Sequence, residues 1–287
     1  MYSFVTVTYN SVSHINEFLR CFKHLDEVPW QLIVVDNASI DSTVKEIEQS
    51  KVYLEFSDRI HILEHSLNIG VAAANNVGID FICDLGLTNK NKIIFLNNDI
   101  TFDRSITKLL CGRQAILSPA IYDGFTKSIW YGGGSINKTR FMSVEHVTDL
   151  IVPGVNETGY APTTFLSVEL DVLRKVGKFH EQFFCYYDDA DWILRARNAG
   201  YRVYVDGRVT IQHFEGSSSG GNRSPFSLYY LTRNRLMFIS RHSNKAYLSL
   251  AIIFLSVFII ASSAREKNKI NYLYNRFRGF LDFIRGR

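Results

Sequence analysis

Cysteine and proline are scarce in this 287-residue chain, and two familiar glycine signatures are missing. The four cysteines, Cys21, Cys83, Cys111 and Cys185, stand far apart with no C-x-x-C pair. That spacing excludes a disulfide framework and a zinc knuckle and leaves reduced thiols as the reading. Five prolines and eighteen glycines leave little room for low-complexity linkers. Neither G-x-G-x-x-G nor G-x-x-x-x-G-K-[ST] follows the first strand-like segment, where Thr8-Tyr9-Asn10-Ser11 stands instead. A conventional dinucleotide enzyme and a P-loop NTPase are thereby excluded. Gly132-Gly133-Gly134 lies far downstream and reads as a strand bend or a close backbone approach. Met1 to Val7 reads directly as a strand, without the basic and apolar stretches of a secretory signal, so folding is expected to begin in the cytoplasm.

What is present is an ordinary globular mix, 46% apolar and 21% charged. It argues against disorder, collagen and coiled coil and is enough for one large domain or two modest ones. The net charge of +4 is unevenly placed: from Arg241 onward there are nine Lys/Arg against two Asp/Glu, while the rest is mildly acidic. Ala246 to Ala264 carries no charge. As a helix it would be about 28 Å long, close to the apolar thickness of a bilayer. Basic residues flank both ends, so charge gives no orientation, and spanning the bilayer or lying in one leaflet both stay open. Ile270, Leu273, Tyr274, Phe277, Phe280, Leu281 and Ile284 then recur at helical spacing beside Arg276, Arg278, Arg285 and Arg287. This reads as an amphipathic helix for an anionic membrane surface, with a buried core helix followed by a surface helix as the alternative. No nucleic-acid motif accompanies the charge, so no nucleic-acid partner is expected.

The first hundred residues alternate. Ser3–Thr8, Gln31–Asp36, Ile60–Leu63 and Lys92–Asn97 read as strands; Ile15–Leu25, Asp41–Gln49 and Gly70–Cys83 read as helices. The alternation predicts a parallel α/β sheet with right-handed crossovers. Ligands of such sheets bind beyond the carboxyl ends of the strands. There the polar groups gather: Thr8-Tyr9-Asn10, Asp36-Asn37, Asn68 and Asn97-Asn98-Asp99. Asp99 with a neutral oxygen neighbour suits the sparse protein shell magnesium accepts when phosphates supply the rest, although an Asx turn would look the same.

Further on, Asp188-Asp189-Ala190-Asp191 opens a helix that ends in Arg195, Arg197 and Gly200. Acids first and arginines last would cap any helix. Yet Phe183-Phe184-Cys185-Tyr186-Tyr187 precedes the acids, and a carboxylate among rings holds protons more tightly and can serve as a base. Val203–Val205 and Val209–Gln212 read as two strands, followed by His213, a third metal ligand or a structural histidine. Ser217 to Gly221 reads as a loop suited to a lid.

In this order the motifs VTVTYNS, IVVDNASIDST, NIGVAAANNVGI, FLNND, FFCYYDDADWILRARNAGYRV and VTIQH resemble glycosyltransferase family 2, inverting enzymes of the GT-A fold, over roughly residues 3–240. YYLTRNRLMF and RGFLDFIRGR are similar to its rhamnosyltransferase-like branch. The resemblance implies a Rossmann-like, mixed and mostly parallel sheet flanked by helices. It implies a glycosyltransferase domain over 1–240, with a nucleotide-sugar half to about residue 100 and an acceptor and base half beyond it. A membrane-associating helical tail would occupy 241–287.

It further implies that Thr8, Tyr9 and Asn10 line the nucleotide pocket, that Asp36 accepts from a pyrimidine base with Asn37 and Ser39 nearby, and that Asn68, Gly70 and Asn76 border nucleotide and sugar. Asn97-Asn98-Asp99 would stand at the D-x-D-type element. There Asp99, completed by His213, would hold Mg2+ or Mn2+ with less protein charge than usual. Asp189 would be the general base, Asp188 its support, and Asp191 would hold the loop or the acceptor. Ala161 to Thr164 departs from the family pattern, so no acceptor residue is assigned there. The implied reaction moves a sugar from a nucleotide diphosphate-sugar, dTDP-L-rhamnose first and a UDP-hexose as alternative, to a lipid-linked oligosaccharide at the cytoplasmic face of the bacterial inner membrane. The enzyme would sit there peripherally or shallowly inserted through 246–287, and a homo-oligomer is compatible with this reading. An inactive scaffold of a polysaccharide assembly complex is the non-enzymatic alternative. Nucleotidyl transfer would need a basic loop after the first strand. Glycoside hydrolysis would need carboxylates flanking a bond, and Asp188 and Asp189 are neighbours whose side chains diverge.

Overall fold

The computed structural model describes residues 1–25, 27–86, 91–214 and 223–286. The loop read at 217–221 lies outside the described residues. Strand and helix alternate first: β1 (Tyr2–Thr8), α1 (Ile15–Cys21), β2 (Trp30–Asp36), α2 (Thr43–Gln49), α3 (Lys51–Glu55), β3 (Ile60–Glu64), α4 (Val71–Asp84) and β4 (Lys92–Leu96). Shorter pieces follow: β5 (Ile100–Thr101), α5 (Ile106–Leu110), β6 (Ile116–Asp123), β7 (Ile129–Tyr131), β8 (Gly134–Asn137), β9 (Ser143–His146), β10 (Val155–Thr158) and β11 (Phe165–Glu169). Then come α6 (Leu170–Val176), α7 (Asp188–Asn198), β12 (Val203–His213), α8 (Pro225–His242), α9 (Lys245–Ser263) and α10 (Lys269–Ile284).

The main sheet runs β10-β12-β6-β11-β4-β1-β2-β3. Its β4-β1-β2-β3 half is parallel, as the alternation predicts. β11 enters antiparallel between β4 and β6, which makes the sheet mixed. β2 and β4 are buried along their whole length, as central strands covered on both faces must be. Phe22 anchors one layer through ring contacts with Phe4, Phe18, Trp30 and Phe102 at 5.1–5.5 Å. On the small-residue helix α4, a Cβ at Gly78 would come within 2.5 Å of Val5, so glycine sets how closely α4 approaches β1. The two strands read at 203–205 and 209–212 are one strand, β12, whose register slips between Asp206 and Thr210. Asp206 is buried there and binds the backbone and guanidinium of Arg208. Gly133 has φ of 130°, and a Cβ at Gly132 would lie 2.5 Å from the Leu150 carbonyl, so the glycine run does mark a close backbone approach.

By internal contacts the chain forms two units. One holds residues 1–135, 145–184 and 188–215; the other holds 136–144, 185–187 and 216–287. In the helical unit, α10 crosses α8 where Gly279 leaves no room for a Cβ against the Tyr229 carbonyl. α9 buries Ala251, Leu255, Ile259 and Ser263, one residue per turn, and exposes Leu250, Ile253, Phe254, Val257, Phe258 and Ile260. Among the described residues it is the one helix long and apolar enough to cross a membrane, and 22% of its apolar window is buried. α10 docks through Tyr272, Asn275 and Gly279, leaving Ile270, Tyr274, Phe277, Leu281 and Ile284 of its apolar face exposed.

Candidate active site

The carboxyl ends of β1 and β2 meet in register, Thr8 opposite Asp36. Thr8 donates to Asp36 Oδ1 at 2.8 Å, the Ser39 hydroxyl donates to the same oxygen at 2.6 Å, and the Ser39 amide donates to Oδ2 at 2.9 Å. Asn10 donates its amide to the Ser39 hydroxyl and accepts from the Ile40 amide, both at 2.9 Å. Asn10 and Ala38 sit at φ of 53° and 65°, left-handed positions that these bonds hold in place. Tyr9 is exposed beside them. Asn37 donates to Asn68 Oδ1 at 2.8 Å and accepts from the Ile69 amide at 2.9 Å. Asn68 also accepts from the Gly70 amide at 3.0 Å. Gly70 has φ of 85°, and a Cβ there would reach the Phe184 carbonyl, which accepts from the Val71 amide at 2.6 Å. The sequence-predicted nucleotide residues from Thr8 to Gly70 therefore form one interlocked turn cluster. Asp36, only 2% exposed and accepting three bonds, has about one lone pair left for a base.

Asn76 has a different place. It is buried, donating to the Phe179 carbonyl and Glu181 at 2.9 Å and accepting from the Phe179 amide at 3.0 Å. With both ends of its amide committed it braces residues 179–181 instead of bordering a ligand. Asn98 is also committed: it donates to the Val7 carbonyl at 2.6 Å and accepts from His14 Nε2 at 2.7 Å. His14 carries no periodic or motif signal, and sequence reasoning missed it.

Asp99 and His213 are brought together by strand pairing. β5 pairs antiparallel with the end of β12, His213 opposite Ile100, and the Phe214 amide donates to the Asp99 carbonyl at 2.8 Å. His213 Nε2 lies 3.2 Å from Asp99 Oδ1 and 3.4 Å from Asn97 Nδ2. The 3.2 Å approach is within ion-pair distance but outside hydrogen-bond geometry, so Asp99 Oδ1 is buried without a donor, as is His213 Nδ1 without a partner. A buried carboxylate oxygen without a donor beside an imidazole nitrogen is a donor set that Mg2+ or Mn2+ accepts. Among the described residues no cluster of three or more His, Cys, Asp or Glu gathers to hold a metal ion. Most of a bound cation's shell would therefore come from phosphate oxygens and water.

The acids of α7 divide by environment. Asp191 is fully buried between His180 at 2.8 Å and Arg195 at 2.9 Å. Arg195 in turn holds the carbonyls of Val176 and Lys178. Of the two roles expected for Asp191, holding the loop fits; touching an acceptor does not, because no part of it is exposed. Asp188 is buried with Oδ2 unpartnered; burial first, and then the charge of Asp189, push its carboxyl well above the ordinary range. Asp189 is half-buried. Burial raises it too, while Tyr160, donating at 2.5 Å, and the amides of Ala190 and Thr163 pull it back. Asp188 thus holds a proton more tightly, while the donors around Asp189 favour its anion. Tyr160 was not read from sequence. Burial and the neighbouring Asp189 keep it a phenol, and its backbone is gripped by Tyr131 and Thr158. Phe183 and Phe184 precede the acids as expected, and Tyr186 and Tyr187 take consecutive left-handed conformations, φ 68° and 67°.

One link ties the two groups together. Thr163 donates its amide to Asp189, and the next residue, Thr164, accepts from the Asn97 amide at 3.2 Å. β11 begins there, Phe165 opposite Leu96 at the end of β4. Asp189 and Asp99 consequently lie at the same edge of the sheet.

Residues 3–110 match the family described as Glycosyl transferase family 2. Over that stretch the chain is similar to glycosyltransferase family 2, and the whole chain has the mixed, mostly parallel α/β sheet flanked by helices of a GT-A-like fold. The chain is 28% identical to the dTDP-rhamnosyl transferase RfbF of Shigella flexneri over 98% of its own length and 95% of the relative's. Its fold matches GalNAc-T7, solved with UDP, GalNAc and Mn2+, at a TM-score of 0.64 and 12% identity, covering 99% of this chain and 56% of that one. It also matches the mannosyltransferase PcManGT of Pyrobaculum calidifontis, solved with GDP-Man and Mn2+, at 0.59 and 12%, covering 100% and 87%. The chain is therefore an enzyme, a nucleotide-sugar glycosyltransferase.

Proposed function

We propose that this enzyme transfers an L-rhamnosyl group from dTDP-L-rhamnose to a hydroxyl of a lipid-linked glycan, in the assembly of bacterial surface polysaccharide such as O-antigen or capsule. The donor is supported by the likeness to the Shigella rhamnosyl transferase along nearly the whole chain. The membrane location, at the cytoplasmic face through residues 246–287, is supported by the exposed apolar faces of α9 and α10.

The observation that carries the chemistry is the Asp188–Asp189 pair, Asp188 buried with an unpartnered oxygen and Asp189 held by the Tyr160 hydroxyl, at the edge that also holds Asp99. Asp189 takes the proton of the acceptor hydroxyl as its oxygen attacks the anomeric carbon. The bond from that carbon to the diphosphate breaks in the same step, its electron pair leaves with the nucleoside diphosphate, and the centre inverts. Tyr160 keeps Asp189 oriented and anionic. The interlocked turns from Thr8 to Gly70 hold the nucleotide in one position, which supplies part of the acceleration. Asp99 and His213 would hold Mg2+ or Mn2+; when bound, such a cation neutralises charge growing on the departing diphosphate. The test uses purified protein with Mn2+, dTDP-L-rhamnose and a lipid-linked acceptor. Release of dTDP is expected, falling at least about 100-fold in Asp189→Asn. Preferential turnover of a UDP-hexose would replace the donor, and undiminished activity in Asp189→Asn would remove the base.

A further inference from the structure

The helical unit contains a cavity of about 170 Å³ among α8, α9 and α10, room for several waters at about 30 Å³ each. Its two sides differ chemically. Leu255 and Ile259, both buried, with Phe258 at the rim, make an apolar wall. Arg235 and Arg276 make the other side, and no carboxylate is among the described residues lining it. The guanidinium of Arg276 donates to Thr232 at 3.1 Å and lies 4.9 Å over the Tyr272 ring, while its Nε is buried without any partner. Arg235 donates only to the neutral carbonyls of Arg140 and Phe141. Two partly buried cations facing one space without a counter-charge are costly, and guanidinium is the group best shaped for phosphate oxygens. Phe258, 46% exposed, joins the cavity to the exposed apolar side of α9. Tyr187, also in the lining, directly precedes Asp188 in the chain.

We infer that this cavity binds the phosphate of a polyprenyl-type lipid. The phosphate sits against Arg276 and Arg235, and the first carbons of the chain run along Leu255, Ile259 and Phe258 toward the exposed face of α9. A free phosphate would have no use for the apolar wall, and a diffuse anionic surface would not need an enclosed Nε donor. The inference deepens the reading of a lipid-linked acceptor given above and rests on it: the pocket is where that acceptor's lipid phosphate is held.

The test measures binding of the full chain to phosphatidylcholine vesicles that contain a polyprenyl phosphate, the uncharged polyprenol, or phosphatidylglycerol at matched charge. Binding to polyprenyl phosphate is expected to be at least about tenfold tighter than to either alternative. Arg276→Gln should remove that preference, whereas Arg285→Gln, at an exposed arginine past the end of the same helix, should leave it within about twofold. Leu255→Phe fills the cavity without touching a charge and should also remove the preference, which keeps the test open if Arg276→Gln fails to fold. Equal binding to phosphatidylglycerol would reduce the effect to surface charge and overturn the pocket. Equal binding to polyprenol, or inorganic phosphate binding as tightly as polyprenyl phosphate, would overturn it as well. Hydrolysis of dTDP-L-rhamnose by the same preparations reads the donor chemistry separately: an unsubstituted chain that turns over the donor but shows no preference for polyprenyl phosphate sinks the pocket alone.

Discussion

The two halves of the strand-end site differ in how fully their polar groups are satisfied. At β1 and β2, Thr8, Asn10, Asp36, Asn37, Ser39 and Asn68 hydrogen-bond one another, and none of them leaves a buried side-chain atom without a partner. At the β4, α7 and β12 edge, Asp99, Asp188 and His213 each keep a buried polar atom unpaired. Native proteins tolerate few such atoms, and each costs about 1–3 kcal/mol unless something completes it. Under the proposed function the satisfied half would be a preformed seat for the nucleotide. Under the same proposal the unsatisfied half would be completed by donor, cation and acceptor, and that is where bonds are expected to change.

Substitutions should separate the halves. The largest effect is expected at Asp189: Asp189→Asn should lower kcat by about 10²–10⁴ while the thermal midpoint holds or rises. A matching loss of stability would break the division. Next is Tyr160→Phe, which removes a hydrogen bond that pulls the Asp189 carboxyl down. The acid limb of the kcat/KM profile should move to higher pH and the rate near neutrality fall about tenfold, read in a pH–rate series. In the satisfied half, Asp36→Ala strands the Thr8 and Ser39 donors and should cost about 1–3 kcal/mol of stability by denaturant titration. The smallest effect has the opposite sign. Because the Asp188 carboxyl is raised in the folded chain, its contribution to stability is full at acid pH and lost as pH rises through that raised value. Asp188→Asn should raise the midpoint by about 2–4 °C at pH 8 and less near pH 4, by calorimetry.

The parallel half of the fold was legible because its signals are local. Runs such as QLIVVD, ended by polar residues, place β1 to β4 and α4 within a residue or so of their observed bounds. The stretch from residue 100 to 170 was not legible. β6 carries Pro119 in its middle, and β11 is defined by partners far away in the chain, β4 and β6. The candidate site followed the same rule. Asp36, Asn37, Asp99 and Asp189 stand at strand or helix ends that the sequence marks. His14 and Tyr160 act through bonds to residues 84 and 29 positions away, which no spacing reveals. Asn76 and Asp191 look like site residues in sequence, and only their buried partners assign them to bracing.

Binding of Mn2+ followed with and without dTDP tests the unfinished half most directly. Weak binding to the free protein is expected, tightening by at least about tenfold once dTDP supplies phosphate oxygens, with that gain lost in Asp99→Asn and in His213→Ala. Mn2+ that binds equally well without nucleotide, or a gain that survives Asp99→Asn, would contradict the assignment of this edge.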